Sequence, residues 1–548
     1  MTDAPHPAFP SPAAPPPPAP LNRARPRPGV AALARLDHLF NRLYGEERNP
    51  LYRSGALTVG LLLFLIVTGL YLLLFYRIGS PWASVERITG QAWAGRWIRT
   101  AHRLAADAAI VTAVVHALRM FAQRRSWGRR AMPWITGTGL VALILVCGWS
   151  GYVMVWDSFG QLVAVEGARI LDLLPLFSEP LGRAFVGEQP IPGAFFFLNL
   201  FVHIALPIGI GIGLLLHVSR VARAQLLPPA RVRWWGAGLL VAASVAWPVG
   251  MAPEASAFRV PATIPMDLLY GFWLPGAQAV PALWVALAWI GGIVLVALVP
   301  RFTRPAPAAR PAPSVVNERL CTGCEQCAQD CPWEAIAMVA RDDGRATLVA
   351  RVDPDRCVSC GICAGSCAPM GIGPAGRTGR DQLAEVRRFV AAHPPRADDV
   401  VVVACARGAG GLATHGDAAG VAVLPVDCAG TLHSSVVEYL VRAGAGGVMV
   451  MACPTADCWN REGPAWLEQR LFHGREAELQ ERVDRRRVAL RHVAFADAAG
   501  AREAVHQFRV QVQRLAVAPR EEDFDLLARC EAAAGSGTGA VPVAREEG

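Results

Sequence analysis

Two pairs of histidines restrict what this chain can fold into more than any other feature. His102 and His116 stand fourteen residues apart in one apolar stretch, and His203 and His217 repeat that spacing in a second. On an α-helix fourteen residues is nearly four turns, so both members of a pair face nearly the same way, ~21 Å apart along the axis. Two such helices side by side make two stacked bis-imidazole sites, each suited to a haem iron. An imidazole in lipid is costly without a partner. A helix–helix hydrogen bond accounts for one such histidine more readily than for four at matched spacing. Two haems at different depths provide an electron path across a bilayer.

Composition sets the frame for that reading. Of 548 residues, 53% are hydrophobic, which points to membrane spans, while 18% are charged, so part of the chain is water-soluble. There is no lysine, and the basic residues are all arginine. A P-loop lysine and a lysine Schiff base are thereby excluded. The net charge of +9 does not imply nucleic acid, and no nucleic-acid partner is expected, because much of the arginine flanks apolar segments. Of the fourteen cysteines only Cys147 precedes Pro300. It reads as an inert core residue. Eight of the others fall in two tight runs, which reads as metal ligation in a reducing cytoplasm.

Six segments are apolar enough to span a bilayer, near residues 55–76, 97–121, 135–156, 194–222, 234–252 and 276–300. Before them come a Pro/Ala-rich arm at 1–30, expected to be disordered, and an amphipathic helix at 31–46. Arginines cluster at 119–130, 220–233 and 301–310. These stretches share one side if all six segments span, and the positive-inside rule makes it the cytoplasm. Both termini and the soluble domains are then cytoplasmic, on a multi-pass protein of a bacterial or archaeal inner membrane. His102 meets His203 near the outer face and His116 meets His217 near the inner one. Residues 226–300 hold the last two helices, and 301–316 form a Pro/Ala linker. Residues 317–375 form a cysteine module, 398–515 a domain of short strands and helices, and 531–548 a loose tail.

Glycines accompany the histidines at the same interval: Gly55 and Gly69 in the first span, Gly137 and Gly151 in the third. Small-residue helix packing explains glycines in general. Beside histidines of equal spacing they suit the close approach of a flat macrocycle. On these residues the segment resembles cytochrome b, the diheme subunit of quinol–cytochrome c oxidoreductases, over about 32–225 and more weakly over 234–300. The resemblance implies two haems b, places Arg99 and Arg119 near haem propionates, and suggests a homodimer of the membrane part. Gly-Tyr-Val-Met-Val-Trp-Asp at 151–157 is similar to the family's stretch near the outer quinol site, with Val155 where the family has proline. Residues 265–275 look like a degenerate form of the family's quinol loop. By that likeness Asp267, beside Tyr270, is a proton acceptor for quinol; otherwise Asp267 is a helix cap or solvated acid. No Cys-x-x-Cys-His is present, so no c-type haem is expected.

The cysteine module reads Cys321-x2-Cys324-x2-Cys327-x3-Cys331-Pro, then Cys357-x2-Cys360-x2-Cys363-x3-Cys367. This is the two-cluster bacterial ferredoxin pattern, in which the fourth cysteine of each run serves the other cluster. One [4Fe–4S] cluster would take Cys321, Cys324, Cys327 and Cys367. The other would take Cys357, Cys360, Cys363 and Cys331. Zinc sites favour two separated pairs.

Farther on, three apolar strands end at Cys405, Cys428 and Cys453, with Cys458 five residues later. Helical segments between them imply a parallel sheet, and ligands in such folds gather beyond the carboxyl ends of the strands. Four thiolates there can hold a [2Fe–2S] cluster or a zinc, or remain buried or redox-active thiols. His415 and His433 are alternative ligands, expected to be solvated. With Asp-Cys-Ala-Gly at 427–430 and Ala-Cys-Pro-Thr-Ala-Asp-Cys at 452–458, the segment resembles the delta subunit of methyl-viologen-reducing hydrogenase.

The expected architecture is multidomain. An all-α transmembrane bundle comes first, then an α+β two-[4Fe–4S] ferredoxin, then an α/β parallel-sheet domain. The expected function is a membrane-bound subunit, a quinone-linked oxidoreductase component, that moves electrons between the quinone pool and a soluble partner. The resemblance implies a flavoprotein, heterodisulfide-reductase-like or hydrogenase-like partner. The alternative is a relay and anchor subunit with no quinone site of its own.

Overall fold

The computed structural model describes residues 28–517 apart from 124, 175–179, 186–190, 222, 257–266, 305–311, 407–419 and 495–496. Most of the N-terminal arm, Pro265, much of the linker, His415 and the tail lie outside the described residues. Two compact units emerge, one of residues 26–310 and one that contains residues 311–548.

The first unit is helical. Its helices are α1 (Pro28–Tyr44), α2 (Ser54–Phe75), α3 (Pro81–Gly90), α4 (Gly95–Ala122), α5 (Ala131–Val155), α6 (Ser158–Leu171), α7 (Gly193–Ser219), α8 (Ala230–Ala246), α9 (Leu274–Ala279) and α10 (Ala282–Ala297). Helix α1 starts inside the expected arm, because proline is tolerated in a first helical turn. Among the described residues five helical stretches are long and apolar enough to cross a membrane: Pro50–Phe75, Gly95–Ala122, Ala131–Val155, Gly193–Ser219 and Ala282–Thr303. Helix α2 packs along α4, and α5 along α7. Fully buried Ala101, Ala105 and Ala109 line α4 at every fourth position, so a neighbouring backbone approaches closely there. The outer faces carry Leu63, Val67, Leu70 and Leu74 exposed, as a lipid-facing surface requires.

The segment expected as a sixth span differs. Helix α8 has 17 residues, ~26 Å at 1.5 Å per residue, at the lower limit for a span. Arg231 and Arg233 occupy its first turn, and Trp247-Pro248 ends it, since the residue before proline disfavours helical backbone. The following segment turns into the bundle. Asp267 Oδ1 accepts from the Leu269 and Tyr270 N–H groups at 2.7 and 2.8 Å, fixing a tight turn. Tyr270 is then buried against α5, where a Cβ at Gly148 would lie 2.1 Å from its ring.

The second unit begins with two antiparallel strand pairs, β1 (Ser314–Val316) with β4 (Ile372–Pro374) and β2 (Ile336–Val339) with β3 (Val349–Val352). Two one-turn helices, α11 (Gln326–Gln329) and α12 (Ile362–Gly365), occupy corresponding places in the two cysteine runs. A helix at Gly379–Ala392, closed by a Thr378/Asp381 capping box, leads onward. The last domain is a four-stranded parallel sheet, β5 (Val400–Cys405), β6 (Val421–Val426), β7 (Gly447–Ala452) and β8 (Val488–His492), in the order β6-β5-β7-β8. Three of these strands were expected from sequence. The fourth is short, with Arg491 and His492 at its end, so its apolar run is weak. Pro425 lies in β6, an edge strand, where a missing N–H is tolerated.

Candidate redox centres

Each of the four histidines faces one of the four glycines on a neighbouring helix. A Cβ built on Gly55 would meet His116 Cε1 at 2.9 Å, on Gly69 His102 Cε1 at 3.3 Å, on Gly137 His217 Cε1 at 3.2 Å, and on Gly151 His203 Cε1 at 3.1 Å. His102 lies within electrostatic range of His203, and His116 of His217, which is the expected pairing.

Three of the rings are also oriented by hydroxyls. His102 Nδ1 is 2.9 Å from Thr68 Oγ1, His217 Nδ1 3.1 Å from Thr136 Oγ1, and His203 Nδ1 2.9 Å from Ser150 Oγ. A hydroxyl has one proton to give. Thr68 gives its proton to Phe64 O, Thr136 to Met132 O and Ser150 to Cys147 O. Each must therefore accept from the histidine Nδ1–H, which leaves the Nε2 lone pair available. That is the tautomer a haem iron takes, held by an outer hydrogen bond. The dipeptides Thr68-Gly69, Thr136-Gly137 and Ser150-Gly151, with Ser54-Gly55 as the fourth, carry this signal in the sequence. Reading the glycines alone missed it.

The residues thus fit haem: paired imidazoles, three of them held in one tautomer, each facing a glycine of a neighbouring helix. Gly55→Ala is expected to push the His116 ring and alter one of two b-type signals, leaving the His102/His203 signal in place. Low-temperature absorbance spectra of the variant check this.

The flanking arginines are anchored by the protein itself. Arg99 donates to Val249 O at 2.9 Å. Arg119 is buried, ion-paired with Asp37 of α1, and lies over the Tyr52 ring at 4.9 Å. Cys147 is half-buried, 3.9 Å from His203 Nδ1.

Asp267 and Tyr270 come together with three residues that the sequence did not single out. Asp267 Oδ2 pairs with Arg103 and accepts from Tyr152 Oη, while Oδ1 is held by its own turn. Arg103 also pairs with Asp107 at 3.3 Å, and its guanidinium carbon sits 4.5 Å from the Tyr152 ring centroid. Tyr270 Oη donates to Ala106 O at 2.8 Å, and Trp149 donates to Tyr270 O at 2.8 Å. Asp267 is neither a solvated acid nor an uncommitted base.

In the second unit, Cys321, Cys324, Cys327 and Cys367 line one cavity, with Val316, Met338, Ala350 and Ile372 as apolar walls. Cys360 has Cys331, Cys357 and Cys363 as its charged neighbours. Backbone N–H groups point at the sulfurs: Gly371 to Cys367 at 3.2 Å, Ser314 to Cys357 at 3.3 Å and Ala335 to Cys331 at 3.4 Å. Burial pushes the Cys363 thiol up to about 12, and Cys360 and Cys327 higher still. Crowded buried thiols keep their protons unless a cationic group takes their place, which iron centres do. The donors fit two four-cysteine sets crossed between the runs.

Cys405, Cys428, Cys453 and Cys458 converge beyond the carboxyl ends of β5, β6 and β7, all buried. Cys405 lies 3.8 Å from Cys453. Cys428 and Cys453 each hydrogen-bond to both Cys405 and Cys458, closing a ring of four sulfurs. Hydrogen bonding with Cys405 and Cys458, reinforced by burial, holds the Cys428 and Cys453 thiols well above the usual range. Bonds from those two thiols, and the Asn460 N–H, hold Cys458 well below it. Among the described residues no three His, Cys, Asp or Glu side chains are arranged about a single metal ion. His433, expected to be solvated, is buried. Its Nε2 lies 3.2 Å from Cys367 O and its Nδ1 2.7 Å from Ser435 Oγ, and burial pulls its pKa down to about 4. The contact between the ferredoxin and the sheet domain claims it.

Comparison with known proteins agrees with this division. Residues 41–225 match the family model for cytochrome b/b6/petB, residues 320–371 that for the 4Fe-4S dicluster domain, and residues 400–516 that for the methyl-viologen-reducing hydrogenase delta subunit. Among solved structures, a chain of a hyperthermophilic respiratory Complex III is similar at 15% identity and a TM-score of 0.38, covering 51% of this chain and 85% of its own. With the paired histidines and the cysteine sets, the matched families identify a membrane electron-transfer subunit that carries a cytochrome b domain, a 4Fe-4S dicluster ferredoxin domain and a hydrogenase delta-subunit-like domain in one polypeptide.

Proposed function

We propose that this subunit passes electrons between the quinone pool and a soluble iron–sulfur or flavoprotein partner. Two haems b are carried on His102/His203 and His116/His217 within residues 31–225. Two [4Fe–4S] clusters occupy residues 317–375, and a [2Fe–2S] cluster sits on Cys405, Cys428, Cys453 and Cys458 within 398–515. The observation that carries the reading is the coexistence of paired imidazoles, three of them held in one tautomer, with three separate four-cysteine sets. Four thiolates suit a two-iron cluster, and the delta-subunit likeness favours it over a single zinc. The partner proposed from the delta-subunit likeness is a heterodisulfide-reductase-type flavoprotein or a hydrogenase-like subunit. In this reading the short helix α8 counts as a sixth crossing, the iron–sulfur domains and both termini are cytoplasmic, and the membrane part forms a homodimer. When bound, the haems and clusters supply the one-electron chemistry; the chain orients their ligands and excludes water.

A second reading, a relay and anchor without a quinone site, is favoured by one observation: both oxygens of Asp267 are committed to protein partners. One experiment separates the two. The purified chain should contain two haems b and about ten cluster irons, and anaerobic quinol should reduce the haems within the mixing time. No haem response to benzo-, mena- or ubiquinols, in a chain whose haems dithionite reduces, establishes the relay.

A further inference from the structure

We propose that Asp107 is the carboxylate at which the membrane unit takes up a proton when an electron enters it, with Arg103 and Asp267 as positioning residues. This rests on the haem-bearing part of the reading above and not on its quinone part.

Asp107 is the thirteenth of 28 residues of α4, so it sits at mid-span. It lies between the two histidine levels, five residues from His102 and nine from His116, ~7.5 and ~13.5 Å along the axis. A carboxylate at such a depth is costly and calls for a function. The titratable and charged groups facing it are Arg103 on its own helix, Asp267 and Tyr270 on the segment dipping into the bundle, and Tyr152 of α5 across Arg103. Arg103 contributes one positive charge and the two aspartates two negative ones, so the group carries a net charge of −1. One proton makes it neutral.

The hydrogen bonds decide which carboxylate takes that proton. On Asp267, Oδ1 accepts two backbone N–H groups and Oδ2 is held by Arg103 and Tyr152. Protonation there would break one of these contacts. On Asp107, Oδ2 faces Arg103, while Oδ1 is buried without a hydrogen-bond partner. A buried acceptor left unsatisfied is costly, and an O–H bond formed there sacrifices no existing contact. Arg103 then remains paired with Asp267. In the balanced step, one electron from an external reductant enters the unit, one proton from water bonds to Asp107 Oδ1, and the unit's total charge is unchanged.

The test is redox-difference infrared spectroscopy of the full chain in detergent, poised electrochemically so that no quinol is needed. Reduction should produce the carbonyl stretch of a protonated carboxyl group, downshifted in D2O. The band should keep its frequency in Asp267→Glu, which retains the charge, disappear in Asp107→Asn and move in Asp107→Glu. The haem midpoint potential should fall with rising pH in the native chain and lose that dependence in Asp107→Asn. Haem absorbance reports folding of each variant, and where Asp107→Asn loses haem, Asp107→Glu decides. No band in the native chain, a band that moves in Asp267→Glu instead, or one unmoved by Asp107→Glu overturns the proposal. A chain that is inert to quinols yet shows the band sinks only the quinone reading.

Discussion

Replacing Asp330 by alanine is expected to destabilise the iron–sulfur unit by about 3–5 kcal/mol, the range for stripping one partner from a buried ion pair. Asp330 and Arg470 both have fully buried side chains, 3.5 Å apart. The Arg470 guanidinium also donates to Ser366 Oγ at 3.0 Å and to Gly430 O at 2.9 Å. Asp330 accepts in addition from Arg475, Gln326 and Ser366. Burial already pulls the Arg470 pKa down to about 10, held up in part by Asp330. Without the carboxylate a guanidinium charge stays in the interior uncompensated. Combining Asp330→Leu with Arg470→Met should recover part of the loss, because the fully buried charge is removed while the partly exposed Arg475 still loses its carboxylate. Urea unfolding followed by near-ultraviolet circular dichroism measures both. An Asp330→Ala midpoint within experimental error of the native one refutes the buried pair.

Cys367→Ala is expected to remove the cluster of the first cysteine run, about four irons, although Cys321, Cys324 and Cys327 are untouched. The reason is the shared cavity, in which Cys367 stands with those three. Cys324→Ala should then abolish the same electron paramagnetic resonance signal, and Cys331→Ala the other one. If Cys324→Ala and Cys367→Ala remove different signals, the crossed assignment is wrong.

The parts legible in the sequence were those governed by periodicity. Fourteen-residue spacing on a helix is nearly a whole number of turns, so His102 and His116 declared one face and their glycines the facing one. The cysteine runs were legible because three close ligands and a remote fourth leave few alternatives. What escaped depends on tertiary contact. Arg103 and Asp107 read as ordinary charges at helical spacing until the Asp267 turn dips in to meet them. The burial of His433 arises from a contact between two modules, which no local pattern encodes. Helix α8 looked like a full span by hydropathy, and only Arg231, Arg233 and Pro248 at its ends set its true length.

The seam between the ferredoxin and the sheet domain has a kinetic consequence. Asp330 adjoins Cys331, Ser366 adjoins Cys367, and His433 holds the Cys367 carbonyl, so ligand-bearing loops of both modules are stapled to a common interior. In the proposed reading, charge crossing this seam would not wait for two proteins to collide and orient. Its rate is set by a separation fixed at folding, indifferent to viscosity and salt. Neither module is a portable cassette: the sheet domain moved alone would leave behind the carboxylate that Arg470 requires.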